Sequence, residues 1–163
     1  YDIIFSNAAF QWLPNHDSLL KNLSRHITES GALAVQLPHH YASPLNQVLQ
    51  EVSKHPDWSQ LMVNARDALT HHTSSEYYDM LSPHFTHIDL WETEYQHTME
   101  NPQAIVEFIR GSGMRPFVEA LENETNRQEF EARVLDGYTE AYAPQADGKI
   151  LFPFRRQFFV AYK

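Results

Sequence analysis

The stretch that decides the fold lies at the start of the chain and reads Tyr1-Asp2-Ile3-Ile4-Phe5-Ser6-Asn7-Ala8-Ala9-Phe10-Gln11-Trp12-Leu13. Ile3, Ile4 and Phe5 form an unbroken apolar run of β-formers, which predicts a strand covered on both faces, as in a parallel α/β sheet. Small and polar residues follow this run. Because ligands bind beyond the carboxyl ends of strands in open α/β sheets, we expect the residues from Ser6 onward to form the floor of a binding site.

The rest of the chain alternates between predicted helices and strands, which is typical of an α/β fold. Further strands are predicted over 32–37, 87–99 and 149–162, and Pro153 delays the well-paired part of the last strand to about Phe154. Apolar periodicity predicts helices over 17–27, 44–52, 58–69 (weakly), 74–81, 102–109, 114–121 and 126–142. In helix 102–109, the residues predicted to face inward are Ile105, Val106, Phe108 and Ile109. In the last of these helices, Phe130, Val134 and Tyr138 mark the apolar seam.

Length and composition limit the classes of protein to which the chain can belong. A length of 163 residues, of which 42% are hydrophobic and 13% aromatic, predicts one globular domain. No apolar run approaches the ~20 residues that cross a bilayer, so we expect no membrane partner. The chain has no Cys, which fits a cytoplasmic location. Its formal charge of −9 argues against a nucleic-acid partner, because nucleic-acid binding needs a basic face.

Three motifs carry a resemblance to a known family. They are the stretch 1–13, the segment 105–117 (Ile-Val-Glu-Phe-Ile-Arg-Gly-Ser-Gly-Met-Arg-Pro-Phe) and the segment 151–160 (Leu-Phe-Pro-Phe-Arg-Arg-Gln-Phe-Phe-Val). The first resembles the fourth strand and following loop of class I S-adenosylmethionine-dependent methyltransferases, and all three are similar to the trans-aconitate methyltransferase group. The resemblance implies a Rossmann-like sheet of parallel strands with an antiparallel final strand, and helical insertions. It also implies S-adenosylmethionine as the cofactor and a helical cap over residues 101–143.

The same resemblance predicts that the chain is the C-terminal part of such an enzyme. The family's glycine-rich cofactor loop follows its first strand, and an acidic residue for the ribose follows its second. The chain has neither feature, and it begins on Tyr1 within a predicted strand. We therefore expect residues 1–163 to be a partial methyltransferase domain, inactive by itself. We also expect self-association through the sheet edge that the absent part would cover.

Candidate site residues follow the predicted strands. The resemblance assigns Asn7 and Ala8 to the methionine end of the cofactor. Gln11 and Trp12 are candidate walls of a substrate pocket, and a core position is the alternative for Trp12. His40, at the carboxyl end of strand 32–37, is a further candidate. The ten histidines do not follow the spacing of metal ligands, so no metal site is predicted.

Three arginines are candidates for binding an acidic substrate, because a planar guanidinium bonds a carboxylate at two points. They are Arg110, Arg115 and Arg156, and a solvated surface position is the alternative for each. The first two flank Gly111-Ser112-Gly113, which follows a helix and is therefore interpreted as a helix break, not a phosphate cradle. The net charge of −9 does not oppose an anionic substrate, because charges are screened beyond ~8 Å at physiological salt.

Three functions remain open at this point. The leading one is S-adenosylmethionine-dependent O-methylation of a small polycarboxylate, trans-aconitate in particular, to its monomethyl ester. It needs no catalytic base, because a carboxyl group with a pKa of ~4 is already ionised at neutral pH. The alternatives are a methyltransferase for another free or carrier-bound carboxyl substrate, and a non-catalytic scaffold that binds no cofactor.

Overall fold

The structure, a computed structural model, describes residues 1–163 and contains one mixed four-stranded sheet. Its elements in chain order are β1 (Ile3–Asn7), a 3₁₀ turn (Phe10–Trp12), α1 (His16–Ser24), β2 (Ala32–Pro38), α2 (Pro44–Val52), α3 (Val63–Arg66), α4 (Ser74–Leu81), β3 (His87–Met99), α5 (Pro102–Arg110), α6 (Arg115–Glu119), α7 (Glu124–Ala141) and β4 (Ile150–Tyr162). None of the helices combines the length and apolarity that crossing a bilayer requires.

The chain divides into two compact units, and the first comprises residues 1–39, 69–94 and 155–163. The strand order is β1-β2-β4-β3, with β1 parallel to β2 and β2 antiparallel to β4. One face of these strands packs against α1 and α4 in a core that includes Leu20, Leu33, Val35, Leu37, Tyr77, Leu81 and Phe159. The predicted α/β class, with an antiparallel final strand, is confirmed.

The predicted burial of β1 on both faces is wrong. The side chains of Ile3 and Phe5 are 69% and 70% exposed, whereas Ile4 packs against the core of this unit. The face of β1 that carries Ile3 and Phe5 is left largely uncovered, whereas the opposite face packs on the core. β1 is also the edge strand and pairs only with β2. An exposed apolar edge favours association, and self-association through β1 stays a prediction that sedimentation velocity would test.

The second unit comprises residues 40–68 and 95–154 and is mostly helical. Its core contains Leu45, Leu49, Trp58, Met62, Ile105, Ile109, Phe117, Phe130, Val134, Tyr138 and Phe152. The predicted seam of α7 is confirmed, because Phe130, Val134 and Tyr138 are fully buried. Asn101 caps α5 by accepting a hydrogen bond from the N–H of Ala104 at 3.0 Å.

Two predictions in this unit are wrong. Phe108, predicted to face inward, is 45% exposed, because the buried stripe of α5 is Ile105, Val106 and Ile109. The segment 58–69 is helical only over α3, and turns precede it. Helices α5 to α7 fall within residues 101–143. That this segment acts as a cap stays a prediction.

Candidate functional site

The loop after β1 exposes its backbone at the carboxyl end of the strand. Asn7, Ala8 and Ala9 are all exposed. Ala8 has a φ of 51°, in the left-handed region that residues other than glycine rarely adopt. Such a conformation persists only where the surrounding structure enforces it, and it is often found at ligand sites. The two residues predicted to bind the cofactor therefore lie in an accessible, strained turn.

Two hydrogen bonds hold Ala8 in this conformation. Its N–H donates to the backbone carbonyl of Gln36 at 2.9 Å, and its carbonyl accepts from Nε2 of Gln11 at 2.9 Å. Gln11 is only 5% exposed, and its Oε1 is buried without a hydrogen-bond partner. The side chain predicted to be a substrate wall is therefore engaged in supporting the loop.

Hydrogen bonds from His16 and Thr70 hold the 3₁₀ turn that carries Gln11 and the half-buried Trp12. Nε2 of His16 lies 2.9 Å from the carbonyl oxygen of Phe10, and the N–H of Thr70 donates to the carbonyl of Gln11 at 2.8 Å. The hydroxyl of Thr70 also donates to the carbonyl of Leu13 at 2.8 Å. The loop is thus fixed at both ends, which suits a site that must present its backbone to a ligand.

The geometry around His16 defines its tautomer. A carbonyl oxygen only accepts, so Nε2 must carry the proton toward Phe10, and Nδ1 accepts from the hydroxyl of Tyr77 at 2.8 Å. The imidazole is 1% exposed, and its ring centre lies 5.0 Å from that of His72. Burial, assisted by His72, lowers the pKa of His16, and burial likewise lowers the pKa of His71.

This arrangement predicts a loss of stability in mild acid. In the unfolded chain the pKa of each histidine is 6.5, and in the native state the pKa values of His16 and His71 are lower. As the pH drops below 6.5, the unfolded chain therefore binds more protons than the native protein, and the free energy of unfolding falls. The slope is at most about 1.4 kcal/mol per pH unit for each histidine. Urea titrations between pH 7.5 and 5.5 should show a smaller drop in His16→Gln than in wild type. The exposed His26→Gln is the control, and an unchanged drop in His16→Gln would contradict the assignment.

A polar pair lies where the carboxyl end of β2 runs beside the middle of β4, and it was not predicted as a pair. Gln36 is 7% exposed, and its Oε1 accepts from Nη1 of Arg156 at 3.3 Å. In register, Gln36 lies beside Asn7 of β1 and Phe158 of β4. Arg156 was a predicted site residue, whereas Gln36 was missed. The available signal was a glutamine that interrupts the otherwise apolar strand 32–37.

The remaining predicted residues belong to the second unit. His40 is 8% exposed, and its ring centre lies 5.4 Å from that of Phe154. Nη2 of Arg110 donates to a carboxylate oxygen of Glu131, and Nε of Arg115 lies 3.9 Å from Oε1 of Glu119. The predicted helix break is confirmed, because a turn over 111–114 separates α5 from α6.

Neither the backbone conformation nor the packing of this break requires glycine. Neither Gly111 nor Gly113 has a positive φ, and a Cβ added at either would meet no atom within 4 Å. Both arginines that flank the turn are about half exposed. No group of three or more His, Asp or Glu side chains is arranged to hold a metal ion.

Comparison with known sequences finds curated proteins that are similar to nearly the whole chain. It is 41% identical over 160 residues to a trans-aconitate 2-methyltransferase of Azoarcus sp. and 40% identical over 161 residues to one of Methylobacterium nodulans. Each match covers 98% of this chain and 62% of the relative. The chain therefore spans about three fifths of the length of these relatives. No protein-family model matches it.

Comparison with solved structures gives the same fold. A putative methyltransferase of Bacillus halodurans superimposes with a TM-score of 0.52 at 13% identity, over 100% of this chain and 64% of that one. A phosphoethanolamine N-methyltransferase of Haemonchus contortus, solved with phosphomonomethylethanolamine and S-adenosylhomocysteine, has a TM-score of 0.51 at 13% identity. That match covers 100% of this chain and 33% of the other. These similarities show a methyltransferase fold.

Proposed function

We propose that the chain, which is 41% and 40% identical to two trans-aconitate 2-methyltransferases, is the C-terminal part of an S-adenosylmethionine-dependent carboxyl O-methyltransferase. The proposed substrate is a small polycarboxylate, with trans-aconitate as the leading candidate, and the product is its monomethyl ester. The observation that carries the proposal is the exposed turn at Asn7 and Ala8, beside the Gln36–Arg156 pair in the same unit.

The residues of this turn fit the amino-acid end of the cofactor. The side-chain amide of Asn7 both donates and accepts hydrogen bonds, so it suits a group that carries an ammonium and a carboxylate. Ala8 and Ala9 have small, exposed side chains, which allows a ligand to approach the backbone. Bound S-adenosylmethionine would supply an electrophilic methyl group on a sulfonium.

The chain's own contribution to the reaction would be orientation. A carboxylate needs no residue to remove a proton, because it is already ionised. Arg156 can hold a substrate carboxylate with two donors, and Trp12 can provide a wall that limits water. Exclusion of water matters because the reaction joins an anion and a cation, and water stabilises both of them before they react.

Transfer of a labelled methyl group tests this function. The protein produced from its natural gene, supplied with labelled S-adenosylmethionine, is expected to methylate trans-aconitate faster than citrate, succinate or acetate. Residues 1–163 alone are expected to be inactive. Absence of transfer to every acid would remove the proposed function, and preference for another acid or a carrier-bound carboxyl would select the alternative substrate class. Micromolar binding of S-adenosylmethionine to residues 1–163 alone would contradict the need for a further cofactor-binding part.

A further inference from the structure

A buried amide in β2 has a donor that no protein group accepts. Gln36 is 7% exposed, and its Nε2 is buried without a hydrogen-bond partner. Leaving such a donor unpaired costs free energy, so its presence calls for an explanation. Oε1 of the same amide accepts from Nη1 of Arg156 at 3.3 Å, which fixes the orientation of the amide and turns Nε2 away from that bond.

The strand register places the buried Gln36 beside the exposed turn that follows β1. Gln36 is paired with Asn7 on the neighbouring parallel strand and with Phe158 on β4. Arg156 is two residues from Phe158 and therefore lies on the same face of the sheet. Asn7, Gln36 and Arg156 thus share one face at the carboxyl ends of β1 and β2, next to the exposed turn at Ala8.

The chemistry that this pair presents is that of a hydrogen-bond donor. A guanidinium has only N–H groups to offer, and Nε2 of Gln36 adds an N–H₂ group beside it. The neighbouring Arg155 pairs with Glu92 at 3.7 Å and with Glu94 at 3.2 Å. A cluster of donors around one positive charge is complementary to a carboxylate, whose two oxygens only accept.

Resting on the function proposed above, we propose that Gln36 and Arg156 bind a second carboxylate of the substrate, one that does not receive the methyl group. Nε2 of Gln36 and the guanidinium of Arg156 donate to its oxygens. This contact selects acids with two or more carboxylates over monocarboxylic acids. Gln36 is therefore a specificity-determining residue, and Arg156 supplies the charge.

The test uses Gln36→Glu in the protein produced from its natural gene. This substitution keeps the shape of the side chain but replaces its donor by a negative charge. We expect the KM for trans-aconitate to rise about 10- to 100-fold, the effect of losing charge-assisted hydrogen bonds. The affinity for S-adenosylmethionine should change less than about twofold, because Ala8 is held by the backbone carbonyl of Gln36 and not by its side chain. The exposed Gln47→Glu, with the same change in charge, should leave both quantities unchanged.

A second variant separates the lost donor from the added charge. Gln36→Met has neither, so its KM should also rise, but less than that of Gln36→Glu. Calorimetric titration of each protein with trans-aconitate, in the presence of S-adenosylhomocysteine, measures the affinity for the acid without turnover. Unchanged acid binding and KM in both variants would overturn the inference and leave an ordered water as the partner of Nε2. Wild type that binds the acid but transfers no methyl group would instead refute the proposed function.

Discussion

Replacing Gln11 by Ala is expected to weaken S-adenosylmethionine binding about 10-fold, and adding Ala8→Gly is expected to restore it. The left-handed conformation costs Ala8 about 1–2 kcal/mol, and the amide of Gln11 offsets part of this cost by donating to the carbonyl of Ala8. Glycine adopts the same conformation without that cost. Gln11 would then act as a positioning residue for the cofactor turn, in place of the substrate wall that its sequence position predicted.

The four proteins of this cycle, each produced from the natural gene, are wild type, Ala8→Gly, Gln11→Ala and the double variant. Calorimetric titration with S-adenosylmethionine gives the cofactor affinity of each, and steady-state kinetics gives the KM for the acid. Ala8→Gly alone should bind the cofactor as wild type does. If glycine fails to restore the affinity while the KM for the acid rises, Gln11 contacts the substrate, as the sequence predicted.

Replacing Arg110 or Arg115 by Ala is expected to raise the KM for trans-aconitate about 10- to 100-fold, with little change in cofactor affinity. A guanidinium that binds a substrate carboxylate at two points contributes about 1.5–3 kcal/mol. Both side chains are half exposed and flank a turn whose glycines no packing contact requires. Turns between helices can carry side chains onto a bound ligand, and this is the role that the sequence predicts for these arginines.

Arg25→Ala is the matched control, since it removes one positive charge from the exposed C-terminal end of α1. Its KM should equal that of wild type. Glu131→Gln is informative for Arg110, because Glu131 accepts its hydrogen bond. A change in KM in Arg110→Ala that is no larger than in Arg25→Ala would assign Arg110 to a surface ion pair. The same comparison decides the role of Arg115.

Much of the secondary structure could be predicted from the sequence, because it depends on neighbouring residues. The spacing of Phe130, Val134 and Tyr138 defines one face of a helix, and these three side chains are fully buried in α7. The capping residue Asn101 and the break at 111–113 are likewise local signals. The similarity to trans-aconitate 2-methyltransferases was also visible in the motifs at 1–13, 105–117 and 151–160.

The sequence by itself determined the strands, the main helices and the kind of enzyme that the chain resembles. Only the tertiary structure decided that β1 is an edge strand and that Ala8 adopts a left-handed conformation. The bond between Gln36 and Arg156 joins residues 120 positions apart, and that between His16 and Tyr77 joins residues 61 apart. Periodicity reports on adjacent residues, whereas strand order and such long-range hydrogen bonds arise only when distant segments pack together.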